Sequence, residues 1–490
     1  MALFPRAGYR ARCALCLLLA AGCSSAKPQI RPSATVEPVS PAAGPGTALN
    51  SRPEPKSLDV TQTSHRLPAV DTAAPIERVA YLGDAELSLA DLLREVEARN
   101  PSVQAMAYAW QAMAQRYPQV VSLDDPMFMT MVAPASFGSN QVTSAYILQG
   151  SQKLPWFGKR PTRGQAAQAE ASAAFHDLND TRLQIAQVTR TAFYDYYLVL
   201  RESELIDENS RVMREFRDAA QAKYENNQVT QQDVLQADVE LAGTERRQLE
   251  IERMRRVAIA RINTLLRRPP TEPLPPAPRT LALESDLPDI AHLQQVAFAQ
   301  RPDLAALAAR VRAEQSAVNL AMKQYYPDSE FFGRYDSFWQ PAATQSDLRG
   351  QVGVSMNVPL YRNKLQAAVC EAQFRLSQRR AEYQQRELDI QYEVQAAFES
   401  VQESSQAAEL YADKFLPFAQ QNLDAARSNY DVGKTTFLNL AQAQRQLIEV
   451  REKYQQTLAD YHRRRADLNR AIGGTLDVTN PAPLVRPESR

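Results

Sequence analysis

Cysteine is scarce: the 490 residues hold four, Cys13, Cys16, Cys23 and Cys370. The first two fall in a stretch with the marks of an export signal, where Arg6, Arg10 and Arg12 precede the apolar run Ala14–Ala21. Cys23 and Cys370 are too few for a disulfide framework, so stability has to come from packing. Net charge is also missing, with 56 Lys and Arg against 56 Asp and Glu, which leaves no field to favour nucleic acid or an anionic surface. The four histidines, His65, His176, His292 and His462, form no His-Glu-x-x-His or Cys/His cluster, and there is no Gly-rich phosphate loop. Neither an enzyme nor a cofactor is expected. After Ala21 no apolar run approaches the roughly 20 residues of a membrane helix. A bilayer, if the chain spans one, is spanned by strands.

What the sequence does have is a duplication. Tyr224–Asp238 and Tyr430–Gln444 are alike at an offset of 206 residues, Tyr224 falling on Tyr430. Asn227 then falls on Gly433, Asp233 on Asn439, Gln236-Ala237 on Gln442-Ala443 and Asn263 on Asn469. Asn227 and Gly433 are residue types that accept a left-handed backbone, so each copy is expected to end one helix and reverse into the next. Each is the tip of a helical hairpin.

In chain order, residues 1–22 are the export signal. Leu19-Ala20-Ala21-Gly22-Cys23 resembles a bacterial lipobox, with Ala20 where leucine is usual; the resemblance implies acylation of Cys23, and Ser24 in place of aspartate implies the outer membrane. A plain cleaved signal is the alternative. Residues 23–86 form a lipidated N-terminus and a tether rich in proline, too poor in large apolar residues to fold alone.

The first copy occupies 87–275, the second 285–475, and 476–490 is a tail. Helical patterning over Ser88–Tyr117 is broken at Pro101, and Arg301-Pro302 repeats Asn100-Pro101 within Ile290–Tyr326. Strand pairs follow at Met127–Val132 with Ser144–Leu154, and at Glu330–Trp339 with Gln351–Val358, the last alternating with period two. Each pair ends in a proline–aromatic phrase, Leu154-Pro155-Trp156-Phe157-Gly158-Lys159 and Val358-Pro359-Leu360-Tyr361-Arg362-Asn363-Lys364, expected as elbows from strand to helix.

Long helices come next, Thr162–Asn226 and Lys364–Asp431, each roughly 100 Å at 1.5 Å per residue. Ile185, Ala192, Val199, Ile206 and Met213 recur every seven residues, the pattern of a left-handed supercoil. The helices after the tips, Val229–Arg267 and Thr436–Ile472, and those before the strands are about half as long. Two short helices end to end therefore match one long one. Pro417 has no counterpart in the first copy and predicts a bend in the second hairpin, about four turns before its tip.

The lipobox, the duplicated helix–strand–strand–helix–helix unit, the elbows and the Tyr-x-x-Gly-type tip phrase together resemble the TolC-like outer-membrane efflux proteins, over about Leu87 to Gly474. The resemblance implies a mainly α fold with a small β part. Three copies would each give four strands to one twelve-stranded barrel, with the helices forming a tunnel across the periplasm. It also implies tips that dock a periplasmic adaptor and close the tunnel at rest, and an inner-membrane pump beyond. The positions carried over are Tyr224, Asn227, Asp233 and Gln236 with Tyr430, Gly433, Lys434, Asn439 and Gln442. Where some members hold acids at the inner tip, this chain has Asn439 and Gln442.

Two other transport roles compete. A periplasmic adaptor also carries a long hairpin but sets it between sandwich-like β segments, and a channel for type I protein secretion shares the family's architecture. Cargo stays open among drugs, metals and polypeptides. Gln152–Lys159 resembles the elbow of channels serving heavy-metal pumps. Met127, Met129 and Met131 share one face of a strand, where thioethers suit Cu(I), although meeting lipid or packing is the commoner role for such a row.

Overall fold

The computed structural model describes residues 86–134, 146–283, 287–337 and 350–475, all in one compact unit, Arg78–Arg490. The export signal, Cys23, most of the tether and the tail lie outside the described residues. The order is α1 (Leu89–Arg99), α2 (Pro101–Ala114), α3 (Arg116–Val121), β1 (Met127–Val132), β2 (Tyr146–Leu154), α4 (Lys159–Glu225) and α5 (Gln231–Leu265). It then repeats as α6 (Ile290–Gln300), α7 (Pro302–Lys323), β3 (Ser329–Ser337), β4 (Gly350–Met356), α8 (Arg362–Leu410), a π-helical turn (Tyr411–Phe415), α9 (Leu416–Asp431) and α10 (Phe437–Ile472).

The proline breaks are local in cause. Asn100 and Arg301 are extended, at ψ 123° and 119°, because the ring of the following proline disfavours helix at the residue before it. Pro101 and Pro302 then open the next helix, where a missing N–H costs nothing. Asn100 also accepts from Ser102 N at 2.9 Å and so caps α2. The short α3 extends the helical stretch past Tyr117 to Val121.

The strands form one antiparallel sheet in the order β1-β2-β3-β4, so the two strand pairs join through β2 and β3. The register separates two faces. On one lie Phe128, Leu148, Leu154, Phe331, Tyr335, Val352, Val354 and Met356, most of them exposed. The other carries Gln149, Ser151, Lys153, Glu330, Arg334, Asp336, Gln351 and Ser355. Aromatic rings lie over cross-strand glycines on both faces, Phe128 beside Gly150 and Phe332 over Gly353.

α4 packs on α2, α3 and α5 of its own copy, as expected of one long helix beside shorter ones, but its most extensive partner is α7 of the second copy, and α10 also packs on it. α8 packs similarly on α7 and α10. In the seven-residue column, Ala192, Val199, Ile206 and Met213 are all buried and Ile185 packs against the core. Val199 and Ile206 meet Ile251 of α5 and Ile448 of α10, so the column holds both hairpins together.

Pro417 falls in the first turn of α9 and does not end the helix: the chain stays helical from Arg362 to Asp431. The π turn immediately before it widens the backbone ring where proline offers no N–H and crowds the preceding carbonyl. The expected irregularity is therefore a π insertion joined to a proline.

Candidate functional site

Both tips are built alike. After α4 the chain reverses at Asn227, φ 55°, and after α9 at Gly433, φ 70°. Gln228 N donates to Lys223 O at 2.8 Å and Asn227 N to Tyr224 O at 2.9 Å; Lys434 N donates to Asn429 O at 2.8 Å and Gly433 N to Tyr430 O at 3.1 Å. This is the Schellman arrangement, which satisfies the last carbonyls of each helix through a left-handed residue.

The copies diverge one turn later. Thr230 donates through both N and Oγ1 to Asp233 Oδ2, each at 3.2 Å, so the tip carboxylate caps its own helix. Asn439, at the matching place, donates instead to Thr435 Oγ1 at 2.8 Å. Gln236 donates to Glu240 at 2.9 Å, while Gln442 and Lys434 are exposed. Tyr224 stays 40% exposed, whereas Tyr430 is buried against Phe437.

A residue outside the sequence motif explains that difference. Lys223 Nζ lies 3.9 Å from the Tyr430 ring centroid, donates to Tyr430 O at 2.9 Å and stands 3.9 Å from Asp431 Oδ1. It ties the end of α4 to the end of α9. Its counterpart in the second copy is Asn429, and only that lack of a matching cation could have drawn attention to it in the sequence. The two hairpins share one core here, with Phe216, Ala220 and Val234 packed among Leu423, Tyr430, Phe437 and Leu440. Burial raises the pKa of the Tyr430 phenol, and the charges of Asp233 and Asp431 add to the effect.

At the opposite end, Asp328, just before β3, gathers both elbows. Its Oδ1 accepts from Trp156 N at 2.8 Å and from Lys159 Nζ at 2.8 Å, while its backbone N donates to Asn357 Oδ1 at 2.7 Å. Lys159 is 1% exposed and donates also to Tyr326 O at 2.9 Å. Trp156 stacks on Tyr326 with centroids 5.6 Å apart. Gly158 turns the chain at φ 80°, with Lys323 Nζ donating to its carbonyl at 2.9 Å. Phe157 and Tyr361 project outward at 89% and 81% exposure.

A third knot lies where α6 meets α7. Arg301, 5% exposed, bonds Asp303 at 2.8 Å, Glu393 at 2.5 Å and Ala471 O at 3.1 Å; Arg386 bonds the same two carboxylates at 2.7 Å each. Burial opposes ionisation of Asp303 and Glu393, but hydrogen bonds from the two guanidiniums outweigh it and hold both pKa values below the ordinary range. A depressed folded pKa contributes stability above the unfolded value of about 4, and loses it as pH falls through the folded value. Thermal midpoints in detergent should therefore drop below pH 4, and less so for Asp303→Asn/Glu393→Gln. Equal acid sensitivity in the variant would exclude this knot as a cause.

Two hairpins on one sheet, with elbows at one end and paired tips at the other, can be set against known proteins. Residues 293–474 match the model of a family described as outer membrane efflux protein. The matched residues lie in the second copy and are similar to that family, whose members are channels and not enzymes. No curated protein sequence matches the chain. Solved channels share the efflux-protein fold over most of its length. The outer membrane protein VceC of Vibrio cholerae is 20% identical, covers 79% of this chain and 97% of its own, and has a TM-score of 0.66. The open-state MtrE outer membrane channel of Neisseria gonorrhoeae gives 17%, 79%, 89% and 0.65, and CusC gives 17%, 80%, 93% and 0.68. At such identities the likeness establishes the fold alone.

Proposed function

We propose that the protein is the outer-membrane exit duct of a tripartite efflux system, working as a homotrimer. The observation that carries this reading is the sheet: among the described residues it has four strands, one apolar face, and no strand paired beyond β1 or β4. Backbone groups on a free edge have no partner in lipid, so the sheet has to close with others. Three copies give a twelve-stranded barrel. β2 and β3, at nine residues each, have the length that crosses a bilayer at a tilt. The outward aromatics Phe157 and Tyr361 suit the interfacial girdle.

In this arrangement α4 and α8 carry the tunnel into the periplasm, Cys23 bears the lipid anchor, and the tips Tyr224–Gln236 and Tyr430–Gln442 dock a periplasmic adaptor beneath which an inner-membrane pump supplies cargo. Both hairpins spring from one sheet, which favours a channel over an adaptor.

The test joins mass in detergent to single-channel conductance in a planar bilayer. A trimer with a small, mostly closed conductance is expected. A folded monomer that never conducts would overturn the duct.

A further inference from the structure

Resting on the barrel reading above, we propose that Met127, Met129 and Met131 form a binding row for soft monovalent cations, Cu(I) or Ag(I), on the inner wall of the barrel. In the register of β1 with β2, the three stand opposite Ser151, Gln149 and Ile147. Their face is the more polar one, carrying Lys153, Glu330 and the Arg334–Asp336 ion pair, with Ile147 and Phe332 as its other large apolar side chains. Membrane barrels alternate apolar residues toward lipid with polar ones toward the lumen, so methionines kept for lipid belong on the other face. Met356 stands there. Each member of the row is at least 44% exposed.

Thioether sulfur is a soft, uncharged ligand that favours Cu(I) and competes poorly for hard or borderline cations. Alternate residues of a strand lie about 7 Å apart, and the unbranched methionine side chain is flexible enough for neighbouring sulfurs to converge on one ion. A twelve-stranded lumen is wide, so ligands come from within each row and not from across the pore. Among the described residues no cluster of His, Cys, Asp or Glu could hold a metal, which leaves the row as the soft-donor site on this wall. A neutral thioether needs no deprotonation, and overlapping weak pairs of sulfurs along the row allow an ion to pass along without being trapped.

The test uses the full protein with Cys370→Ser, since that free thiol also binds silver. Silver nitrate is titrated in nitrate electrolyte, reading bound silver per protomer by equilibrium dialysis in detergent, and channel current in a bilayer. Micromolar silver should bind and depress the current reversibly, with zinc without effect. Met127→Leu/Met129→Leu/Met131→Leu, close in volume, should weaken both responses at least tenfold, and Met356→Leu should leave them intact. Equal binding by the triple variant and its parent would overturn the site. Silver bound through the row by a protein that never conducts would keep the site and sink the duct.

Discussion

Asp328→Ala is expected to lower the heat-denaturation midpoint in detergent by roughly 4 °C, the equivalent of about 3 kcal/mol. Among the described residues the carboxylate is the only anion bonded to Lys159, whose side chain is 1% exposed against 34% for its partner. Removing it strands a buried ammonium and also leaves Trp156 N without its acceptor. An unpaired buried charge is among the costliest single defects, and water reaching the exposed side of Asp328 keeps the loss near the lower end of the usual range. The double variant Lys159→Met/Asp328→Leu should recover most of the midpoint, because it removes both charges. Asn357→Ala gives up one hydrogen bond and should cost only about 1 kcal/mol. A midpoint for Asp328→Ala equal to that of the parent would show that the elbows are held by the sheet and helices alone.

The joint also marks the limit of what could be read beforehand. Reversal at Asn227 and Gly433 was legible because a left-handed turn is a local demand, met by residue type whatever packs around it. The strands fell within two residues of their expected described ends, since period-two patterning and the closing prolines are local too. Lys159 and Asp328 are 169 residues apart, and nothing near either one announces the other. Lys223 and Tyr430, 207 apart, are the same case. The π turn at Tyr411–Phe415 has no composition of its own; Pro417 pointed to the place but not to the form. Asp233 was legible as a tip residue, but its capping bond with Thr230 was not.

Lys223→Met should open the tunnel. Among the described tip contacts, Lys223 joins the hairpins by a charged hydrogen bond to a carbonyl and by its place over the Tyr430 ring. Together these contribute on the order of 2 kcal/mol per protomer. That is roughly a thirtyfold shift per protomer toward a parted tip, and if three protomers open together the shifts multiply. Single-channel recordings should show a large rise in open probability, with Lys223→Arg close to the parent. The duplication adds a converse. If a ring of three continues the repeat, Asn429 of one copy would take the place of Lys223 beside Tyr224 of the next, without its charge. Asn429→Lys would supply the missing tie and should lower the open probability. If Pro417 and the π turn are where the second hairpin bends, Pro417→Ala should blunt the opening caused by Lys223→Met while leaving docking at the tip unchanged. Unaltered current in Lys223→Met would show that the shared apolar core, and not this tie, sets the closed state.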